Sequence, residues 1–462
     1  MSRRVDQPRV AAYDVLTAVR EQDAYTNLLL PSLLRSRGIT GRDAAFATAL
    51  VAGTIRHQGS YDAILATLVR QPLDRLQPGL LDALRLGSHQ VLQMRVPAHA
   101  AVATTVDLVR ERLGRGPSGL ANAVLRRVGQ HDLEGWLRRV APDAEADPVG
   151  HAAVTWSHPA WVVEELAAAL QAEDASDELE RLLRADNAPP QVTLVARPGL
   201  CTLDELAAAG AEPTGRSPYA ATLPGGDPAA IPAVAEGRAG VQDEGSQLVA
   251  LALAGADVEG RDEAWLDLCA GPGGKAVLLA AVGAGRGASL LAAERQPHRA
   301  ALVRSAGSRA GLRGVVAADG TRPAWRPQSF DRVLVDAPCS GLGALRRRPE
   351  ARWRRSRADL TDLVPLQAAL LTSALDAVRR GGVVGYATCT PVLAETTEVL
   401  RRVLAERGDA RLEDAAPLFD GVPDLRPERM PLPGTVQLWP HRQQTDAMFF
   451  ALLRRRTADE GH

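Results

Sequence analysis

Residues 264–282 read AWLDLCAGPGGKAVLLAAV, and this stretch decides the fold. A short apolar run, AWLDLC (264–269), leads into a glycine-rich turn, and an apolar stretch of helical character follows. Glycine in such a turn lets the backbone approach a ligand, and the N-terminus of the next helix favours anionic groups. The stretch therefore predicts the first strand–turn–helix unit of an α/β domain, with a binding site at the turn.

The same pattern continues along the chain. Further strands are predicted at SLLAAE (289–294), GVVAAD (314–319), RVLVDAP (332–338) and VVGYAT (383–388), with helical stretches between them. Continuous apolar strands are typical of a sheet that is covered on both faces. We therefore expect a doubly wound, mostly parallel, Rossmann-like α/β sheet. Near the end, VQLWP and AMFFALL are expected to form a hairpin at its edge.

The chain of 462 residues is too long for a single core, so several domains are expected. Residues 1–140 show helical periodicity and no strand-like alternation, which predicts an all-α bundle. Residues 150–238 are mixed, with a helix after Pro159, a short strand at QVTLVA (191–196) and a turn-rich stretch, RSPYAATLPGGDPAAIP. We predict a small α+β linker domain there and the α/β domain at 239–457.

Charge is unevenly distributed along the chain, although the formal net charge is only −1. Residues 1–145 carry 19 Arg against 14 Asp and Glu, whereas residues 146–240 carry 5 Arg against 14 acids. Residues 241–462 carry the remaining 30 Lys and Arg against 27 acids. A basic front and a basic back around an acidic middle suit a polyanionic partner. No apolar run has the length of a membrane span and no secretory signal is recognisable, so a cytoplasmic location is expected.

Acidic residues stand at the ends of successive predicted strands. The first strand runs into Asp267, and the next three end in Glu294, Asp319 and Asp336. An acid at the end of the second strand can accept hydrogen bonds from ribose hydroxyls. A P-loop is excluded, because the position of its first glycine holds Cys269 and the position of its Mg²⁺-binding hydroxyl holds alanine.

Lys275, at the end of the glycine turn, is the only lysine among 54 basic residues. Lysine is a compact point charge with rotatable donors, which the planar guanidinium of arginine does not replace in a tight site. The sequence thus indicates a role for the Lys275 ammonium within the turn.

Two cysteines follow strands of the predicted sheet, Cys339 in DAPCSG and Cys389 in YATCTP. The four cysteines of the chain form no C-x-x-C pair, so neither zinc nor any other metal is expected. Cysteines at one sheet edge suit methylation of cytosine C5, in which a thiolate adds to C6 and an acid assists near N3. Asp336 is close enough in sequence to be that acid, but the residues alone leave open which cysteine attacks.

A basic stretch, GLGALRRRPEARWRRSR (341–357), follows Cys339 directly. Arginines beside a catalytic loop suit phosphate binding, and an aromatic side chain among them suits base stacking. We predict RNA contacts here from Arg346, Arg347, Arg348 and Trp353.

Taken together, DLCAGPGGK, DAPCSGLG, ALRRRPEARW and YATCTP resemble the motifs of the Nop/Sun family of RNA cytosine-C5 methyltransferases. VQDEGSQLVA is similar to the segment that precedes the catalytic sheet in that family. The N-terminal stretches RDAAFATALVAGTIRHQGSYDAIL and GLANAVLRR resemble the NusB-type RNA-binding domain of its bacterial Sun (Fmu, RsmB) branch.

The resemblance implies a class I methyltransferase fold, S-adenosylmethionine as the methyl donor and small-subunit (16S) ribosomal RNA as the substrate. It also implies that Cys389 is the nucleophile that bonds to C6 and that Cys339 assists product release. The cofactor residues that it implies are Cys269, Ala270, Gly271, Pro272, Gly273, Gly274, Lys275, Glu294, Asp319 and Asp336. We expect the protein to act as a monomer on ribosomal RNA, without a membrane.

The sequence departs from the family pattern at four positions: Gly271 stands where alanine is usual, Ala276 where threonine is usual, Glu294 where aspartate is common and Thr390 where serine is common. None of these changes removes a reactive group.

Two alternative functions compete with this one. A DNA cytosine methyltransferase would attack with Cys339 and would need a large target-recognition domain, for which no segment is visible. A NusB-like assembly factor with a degenerate catalytic half is disfavoured by the intact Cys339, Cys389 and Asp336.

Overall fold

The structure is a computed structural model that describes residues 6–22 and 24–457. These residues form two compact units. The first, here called the helical unit, comprises the described residues up to Glu164 together with a returning segment, Leu345–Arg355. The second, the sheet unit, comprises Glu165–Ala344 and the described residues from Ser356 onward. Within the described ranges, no helix is both long and apolar enough to cross a membrane.

The helical unit confirms the expectation of an all-α front. Its helices are α1 (Gln7–Glu21), α2 (Thr26–Ser36), α3 (Gly41–Arg56), α4 (Gln58–Leu68), α5 (Pro78–Leu92), α6 (Ala98–Leu113), α7 (Arg115–Val128), α8 (Leu133–Val140) and α9 (Pro148–Thr155), with α17 (Ala351–Arg354) in the returning segment. Asp6 begins α1 by accepting a hydrogen bond from the Arg9 amide at 2.9 Å. Leu50, Leu84 and Leu125 are fully buried in the shared core.

The sheet unit contains the remaining elements, and the boundary between the two units falls within α10. Its helices are α10 (Ala160–Gln171), α11 (Leu179–Asp186), α12 (Leu203–Ala208), α13 (Pro232–Ala235), α14 (Glu244–Gly255), α15 (Gly274–Ala284), α16 (Pro297–Ala306), α18 (Leu360–Ala377), α19 (Thr397–Glu406) and α20 (Pro440–Gln443). Its strands are β1 (Val192–Ala196), β2 (Glu212–Pro213), β3 (Ala220–Leu223), β4 (Ala239–Val241), β5 (Ala264–Asp267), β6 (Ser289–Glu294), β7 (Leu312–Ala317), β8 (Phe330–Asp336), β9 (Val378–Thr388), β10 (Ala410–Glu413), β11 (Val436–Gln437) and β12 (Phe449–Arg455).

A small antiparallel sheet of order β2-β3-β1-β4 occupies the region of the predicted α+β linker. It has its own apolar cluster, which includes Leu194, Leu206 and Leu223. Strand β3 lies inside the stretch that the sequence indicated to be only turns, and that expectation was wrong. The residues from Glu165 onward group with the main sheet, and the domain boundaries at 140, 150 and 238 stay a prediction.

The main sheet has the order β10-β12-β9-β8-β5-β6-β7, and β11 pairs with β12. The pairs from β9 through β7 are parallel, whereas β12 runs antiparallel to β9 and to β10. Strands β11 and β12 form the expected antiparallel pair, but β12 is not an edge strand, because it lies between β9 and β10. The sequence could not show this, because the pairing depends on β10, which is distant along the chain.

Alternate residues of β5 enter two separate cores. Trp265 packs in a cluster with α14 and α15, while Leu266 packs with α18 and α19 on the other face. Helices thus cover both faces, as the unbroken apolar strands predicted. From β5 the strand order proceeds to β6 on one side and to β8 on the other. Such a reversal opens a crevice at the carboxyl ends of the strands, where sheets of this type bind ligands.

Candidate active site

The glycine turn connects β5 to α15 at this reversal. Gly273 has a φ of +120°, and a Cβ there would lie 3.3 Å from the Cα of Val303. Only glycine fits such a backbone conformation without strain. The turn can therefore pass close to α16 while presenting the N-terminus of α15 at the crevice.

Glu294, the last residue of β6, is 5% exposed and is already tied to the turn. Its Oε2 accepts a hydrogen bond from the Gly271 amide at 3.0 Å, and its Oε1 accepts one from the Gln296 amide at 2.9 Å. A Cβ on Gly271 would lie only 2.2 Å from Glu294 Oε2. Glycine at position 271 and glutamate at position 294 both depart from the family pattern, and the two departures depend on each other. The longer glutamate side chain fits because residue 271 has no side chain.

Asp267, the last residue of β5, is fully buried. Its Oδ1 accepts a hydrogen bond from the Cys269 amide at 3.3 Å, while its Oδ2 has no hydrogen-bond partner among the described residues. Burial, and then the negative charge of Asp336, raise the pKa of Asp267 to about 8. A buried acid with an unpaired oxygen is costly unless a ligand satisfies it. Sequence reasoning left Asp267 out of the site, although its strand-end position was a usable signal.

Lys275 directs its ammonium towards Asp336. Its Nζ lies 2.8 Å from Asp336 Oδ2, and its side chain is 10% exposed. Burial alone would lower the pKa of Lys275, but the charge and hydrogen bond of Asp336, and then the Cys389 sulfur, raise it. The lone lysine is therefore an electrostatic neighbour of Cys389.

The two strand-end cysteines are brought together. Cys339 Sγ and Cys389 Sγ are 3.4 Å apart, neither sulfur is part of a disulfide, and both residues are half-buried. The hydrogen bond with Cys389, then burial, then the charges of Cys389 and Glu395 raise the pKa of Cys339 well above its usual value. This environment keeps Cys339 as a thiol beside Cys389.

Backbone bonds hold the two cysteine loops in register. The Ala337 amide donates to the Ala387 carbonyl at 2.8 Å, and the Gly343 amide donates to the Cys389 carbonyl at 2.9 Å. A Cβ on Gly343 would lie 2.2 Å from the Ala447 carbonyl oxygen, so the loop also packs tightly against the chain before β12.

Asp319 lies two residues beyond the end of β7 and is half-buried. Its Oδ1 accepts hydrogen bonds from the amide and the hydroxyl of Thr321, at 3.0 and 2.7 Å, and these bonds lower its pKa. The acid is thereby oriented, and its contact with a cofactor stays a prediction. Cys269, which follows β5 in the turn, is half-buried, and burial raises its pKa well above the usual value.

The arginine-rich stretch forms part of the helical unit instead of a solvated loop. Arg352 is fully buried and donates through Nη1 to the Ser157 carbonyl at 3.0 Å. The Trp353 indole packs against the helical core and donates to the Ile55 carbonyl at 2.8 Å. The indole therefore already has a packing partner and an acceptor within its own unit, and base stacking by Trp353 stays a prediction.

The predicted phosphate contacts differ in their access to solvent. Arg346 is 9% exposed and Arg347 is half-buried. Arg348 is exposed, with its guanidinium 5.6 Å from the ring centre of Tyr25. Phosphate binding by all three stays a prediction, and Arg348 is the member best placed for it.

Comparison with known proteins agrees with this geometry. The family described as 16S rRNA methyltransferase RsmB/F matches residues 256–454, and the NusB family matches residues 6–130. A Mycobacterium tuberculosis protein named as a methyltransferase is 50% identical over 457 residues, covering 98% of each chain. The ribosomal RNA small subunit methyltransferase B of Pseudomonas syringae is 32% identical over 473 residues, covering 96% of each.

The chain belongs to the RsmB/F family of 16S rRNA methyltransferases. Its front is a NusB-type helical region, and its methyl donor is the S-adenosylmethionine of this methyltransferase family. The fold extends to solved structures. The crystal structure of PH0851 aligns with a TM-score of 0.78 at 22% identity and covers 97% of this methyltransferase and 99% of its own chain. That of NSun6 from Pyrococcus horikoshii covers 63% and 98%, with a TM-score of 0.53 at 17% identity.

Proposed function

We propose that this methyltransferase forms 5-methylcytosine in small-subunit ribosomal RNA through a covalent bond between Cys389 and C6 of the target cytosine. The observation that carries the proposal is the pair of thiols whose sulfurs lie 3.4 Å apart, together with the Lys275–Asp336 ion pair at 2.8 Å. Relatives named for the small-subunit ribosomal RNA supply the substrate class. Ribosomal RNA as substrate implies a cytoplasmic reaction.

The residues of the crevice fit S-adenosylmethionine. The carboxylate of Glu294 is fixed at the end of β6, where it can accept bonds from ribose hydroxyls. The unpaired Oδ2 of Asp267 can accept from an ammonium group. Gly271 to Gly274 leave room for the cofactor to approach the backbone, and Asp319 would accept near the adenine. When bound, S-adenosylmethionine supplies an electrophilic methyl group for C5.

The protein's own groups account for the remaining steps. The Cys389 thiolate, which the nearby Lys275 ammonium stabilises, adds to C6 and pushes electron density towards C5 and N3. Asp336 serves N3 by passing on a proton: the Lys275 ammonium, 2.8 Å from its carboxylate, gives up a proton that moves through Asp336 to N3 as the sulfur adds to C6. After methylation the C5 proton is lost to a base, the bond to C6 breaks, and the sulfur leaves as a thiolate. The Cys339 thiol, 3.4 Å away, can hydrogen-bond to that leaving sulfur and so assist release.

Single cysteine variants test the proposal. Cys389→Ala should abolish both methylation and covalent attachment to RNA, because no nucleophile remains. Cys339→Ala should still attack but release slowly, so that a protein–RNA adduct accumulates and survives denaturing gels. Cys201→Ala, a buried thiol in the cluster of the small sheet, is the matched control and should behave like the unaltered protein. An adduct that forms with Cys389→Ala but not with Cys339→Ala would reverse the roles and support the DNA-type mechanism.

A further inference from the structure

A fully buried carboxylate, Glu395, lies beneath both cysteine loops. It ends a short 3-10 turn, Leu393–Glu395, that follows Cys389. Its Oε1 accepts hydrogen bonds from the Ser340 amide at 2.8 Å and from Gln367 Nε2 at 2.9 Å. Its Oε2 accepts from the Ser340 hydroxyl. Two of these three donors belong to the residue directly after Cys339.

The same network reaches the residue after Cys389. The Ser340 hydroxyl oxygen is 3.0 Å from the hydroxyl oxygen of Thr390. Gln367 Nε2 also donates to the Pro338 carbonyl at 2.9 Å, so the residue before Cys339 is held as well. The Tyr386 hydroxyl donates to the Glu395 carbonyl at 2.7 Å and fixes the turn to β9. One side chain thus connects the flanks of both cysteines.

We propose that Glu395 is a positioning residue that sets the separation of the two cysteine sulfurs and thereby the rate at which the covalent adduct is released. A charge without exposure to solvent is tolerated when several donors satisfy it, and such networks fix a single arrangement. The catalytic consequence rests on the proposed function, whereas the geometric role does not. The negative charge of Glu395 also contributes to keeping Cys339 a thiol.

The chemistry of the network separates geometry from charge. In Glu395→Gln the amide oxygen can keep the two bonds of Oε1, and its NH₂ group can donate to Ser340 if that hydroxyl turns towards Thr390. In Glu395→Asp the carboxylate is withdrawn by one methylene and cannot reach all its donors. Glu398→Asp, at an exposed position on α19, is the matched control.

The first measurement is the separation of the sulfurs, followed with dibromobimane, which becomes fluorescent when it joins two nearby thiols. We expect normal bridging in E395Q and E398D and strongly reduced bridging in E395D, with the signal of Cys339→Ala as the background. Ser340→Ala, which removes only the hydroxyl link, should also reduce bridging and serves if E395D does not fold. Normal bridging in folded E395D and in S340A would overturn the proposal.

The second measurement is the fate of the adduct in a single turnover. E395D should slow adduct breakdown by about 10- to 100-fold, because a misplacement of about 1 Å can cost about 100-fold in rate. In E395Q the adduct should break down at the normal rate. Alkylation of Cys339 by iodoacetamide should begin at a lower pH in E395Q than in the unaltered protein, because the negative charge of Glu395 is gone. Equal adduct lifetimes in E395D and the unaltered protein would contradict the inference. If bridging fails in E395D but no adduct ever forms in the unaltered protein, the geometric role stands and the proposed function fails.

Discussion

At the scale of single residues, Gly271 and Glu294 occupy neighbouring space in the crevice. The Gly271 amide donates to Glu294 Oε2 at 3.0 Å, and a Cβ on Gly271 would lie 2.2 Å from the same oxygen. A side chain at position 271 and a glutamate at position 294 therefore exclude each other in this arrangement.

The interdependence of Gly271 and Glu294 gives a prediction at this scale. Gly271→Ala should weaken S-adenosylmethionine binding by about 1.5–3 kcal/mol, because the new methyl group displaces the Glu294 carboxylate, for which we propose charge-assisted bonds to the ribose. Adding Glu294→Asp should recover most of this loss, since the shorter side chain vacates that space. Calorimetric titration of the single and double variants measures both effects.

Gly285→Ala is the control for this cycle. It lies after the last residue of α15, where a Cβ meets only ordinary contacts, so affinity should not change. Additive losses in the double variant would show that the two positions act independently and that the carboxylate is not held against residue 271.

The strand-end acids and cysteines of the site could be predicted because each is marked by its place in the sequence. Glu294 and Asp336 do end their strands, and Cys339 and Cys389 do meet. The choice of nucleophile came only from the family resemblance. Glu395 was missed because its role depends on partners such as Ser340 and Gln367, which the fold brings in from elsewhere along the chain.

At the scale of elements, strand positions were predictable to within a few residues, because buried parallel strands are unbroken apolar runs. Strand β6 matches its predicted run, SLLAAE, residue for residue. Short antiparallel strands were less visible: β3 is four residues long within a stretch rich in glycine and proline. Its stability comes from pairing with β1, a non-local contact that composition does not reveal.

The returning segment gives a prediction about stability. Its arginines suggest a surface that binds RNA, but Arg352 is buried within the helical unit. Arg352→Ala should lower the free energy of unfolding by about 3 kcal/mol, because it removes a large, fully buried side chain and leaves the Ser157 carbonyl without its donor. Arg348→Ala, at an exposed position four residues earlier, should change stability by less than about 0.5 kcal/mol. Urea denaturation of both variants compares them. Equal and small changes would mean that the segment is not part of the helical core.

Two histidines of the helical unit, the half-buried His57 and the buried His89, give a prediction about pH. Burial first, and then nearby Arg56, lower the pKa of His57 to about 4; burial, then His57, lower that of His89 to about 3. Below about pH 6.5 the unfolded chain therefore binds protons that the folded protein does not, and each histidine costs about 1.4 kcal/mol per pH unit until its folded pKa is reached. Stability should be unaffected by these groups above pH 6.5 and should fall below it.

Substitution of one histidine isolates this effect from all other titrating groups. Between about pH 6.5 and 5, His57→Gln should lose about 2 kcal/mol less stability than the unaltered protein, because one proton-linked group is gone. His99→Gln, at an exposed position on α6, should follow the unaltered protein. Denaturation curves at several pH values supply the comparison, and parallel losses in all three proteins would refute the prediction.

At the scale of the whole molecule, the sequence predicted a helical front and a methyltransferase back, and both family matches confirm this order. It did not predict that Leu345–Arg355 belongs with the helical unit. The segment follows Cys339 so closely that its arginines looked like part of the catalytic loop. Contact with the helices depends on buried pairs such as Trp353 with Ile55, which are separated by about 300 residues of sequence.

The uneven charge along the chain predicts where RNA binds most strongly. Residues 1–145 carry an excess of arginine, and the exposed Arg115 and Arg126 lie on the same face of α7. If both contact phosphates, Arg115→Gln with Arg126→Gln should weaken RNA binding and reduce the slope of log affinity against log salt by about 1.4, since each contact on a single strand contributes about 0.7. Fluorescence anisotropy across a salt series measures affinity and slope together.

The acidic middle of the chain offers the matched control. Arg181 and Arg184 are exposed on α11 within residues 146–240, where acids outnumber arginines and the field repels phosphate. Changing this pair to glutamine removes the same charge, yet the salt slope should change by less than about 0.7, the value of one contact. Cofactor affinity should stay constant in both double variants, because neither α7 nor α11 contributes a residue to the strand-end crevice. If the two pairs lower the slope equally, only net charge matters, and the helical region does not bind RNA through α7.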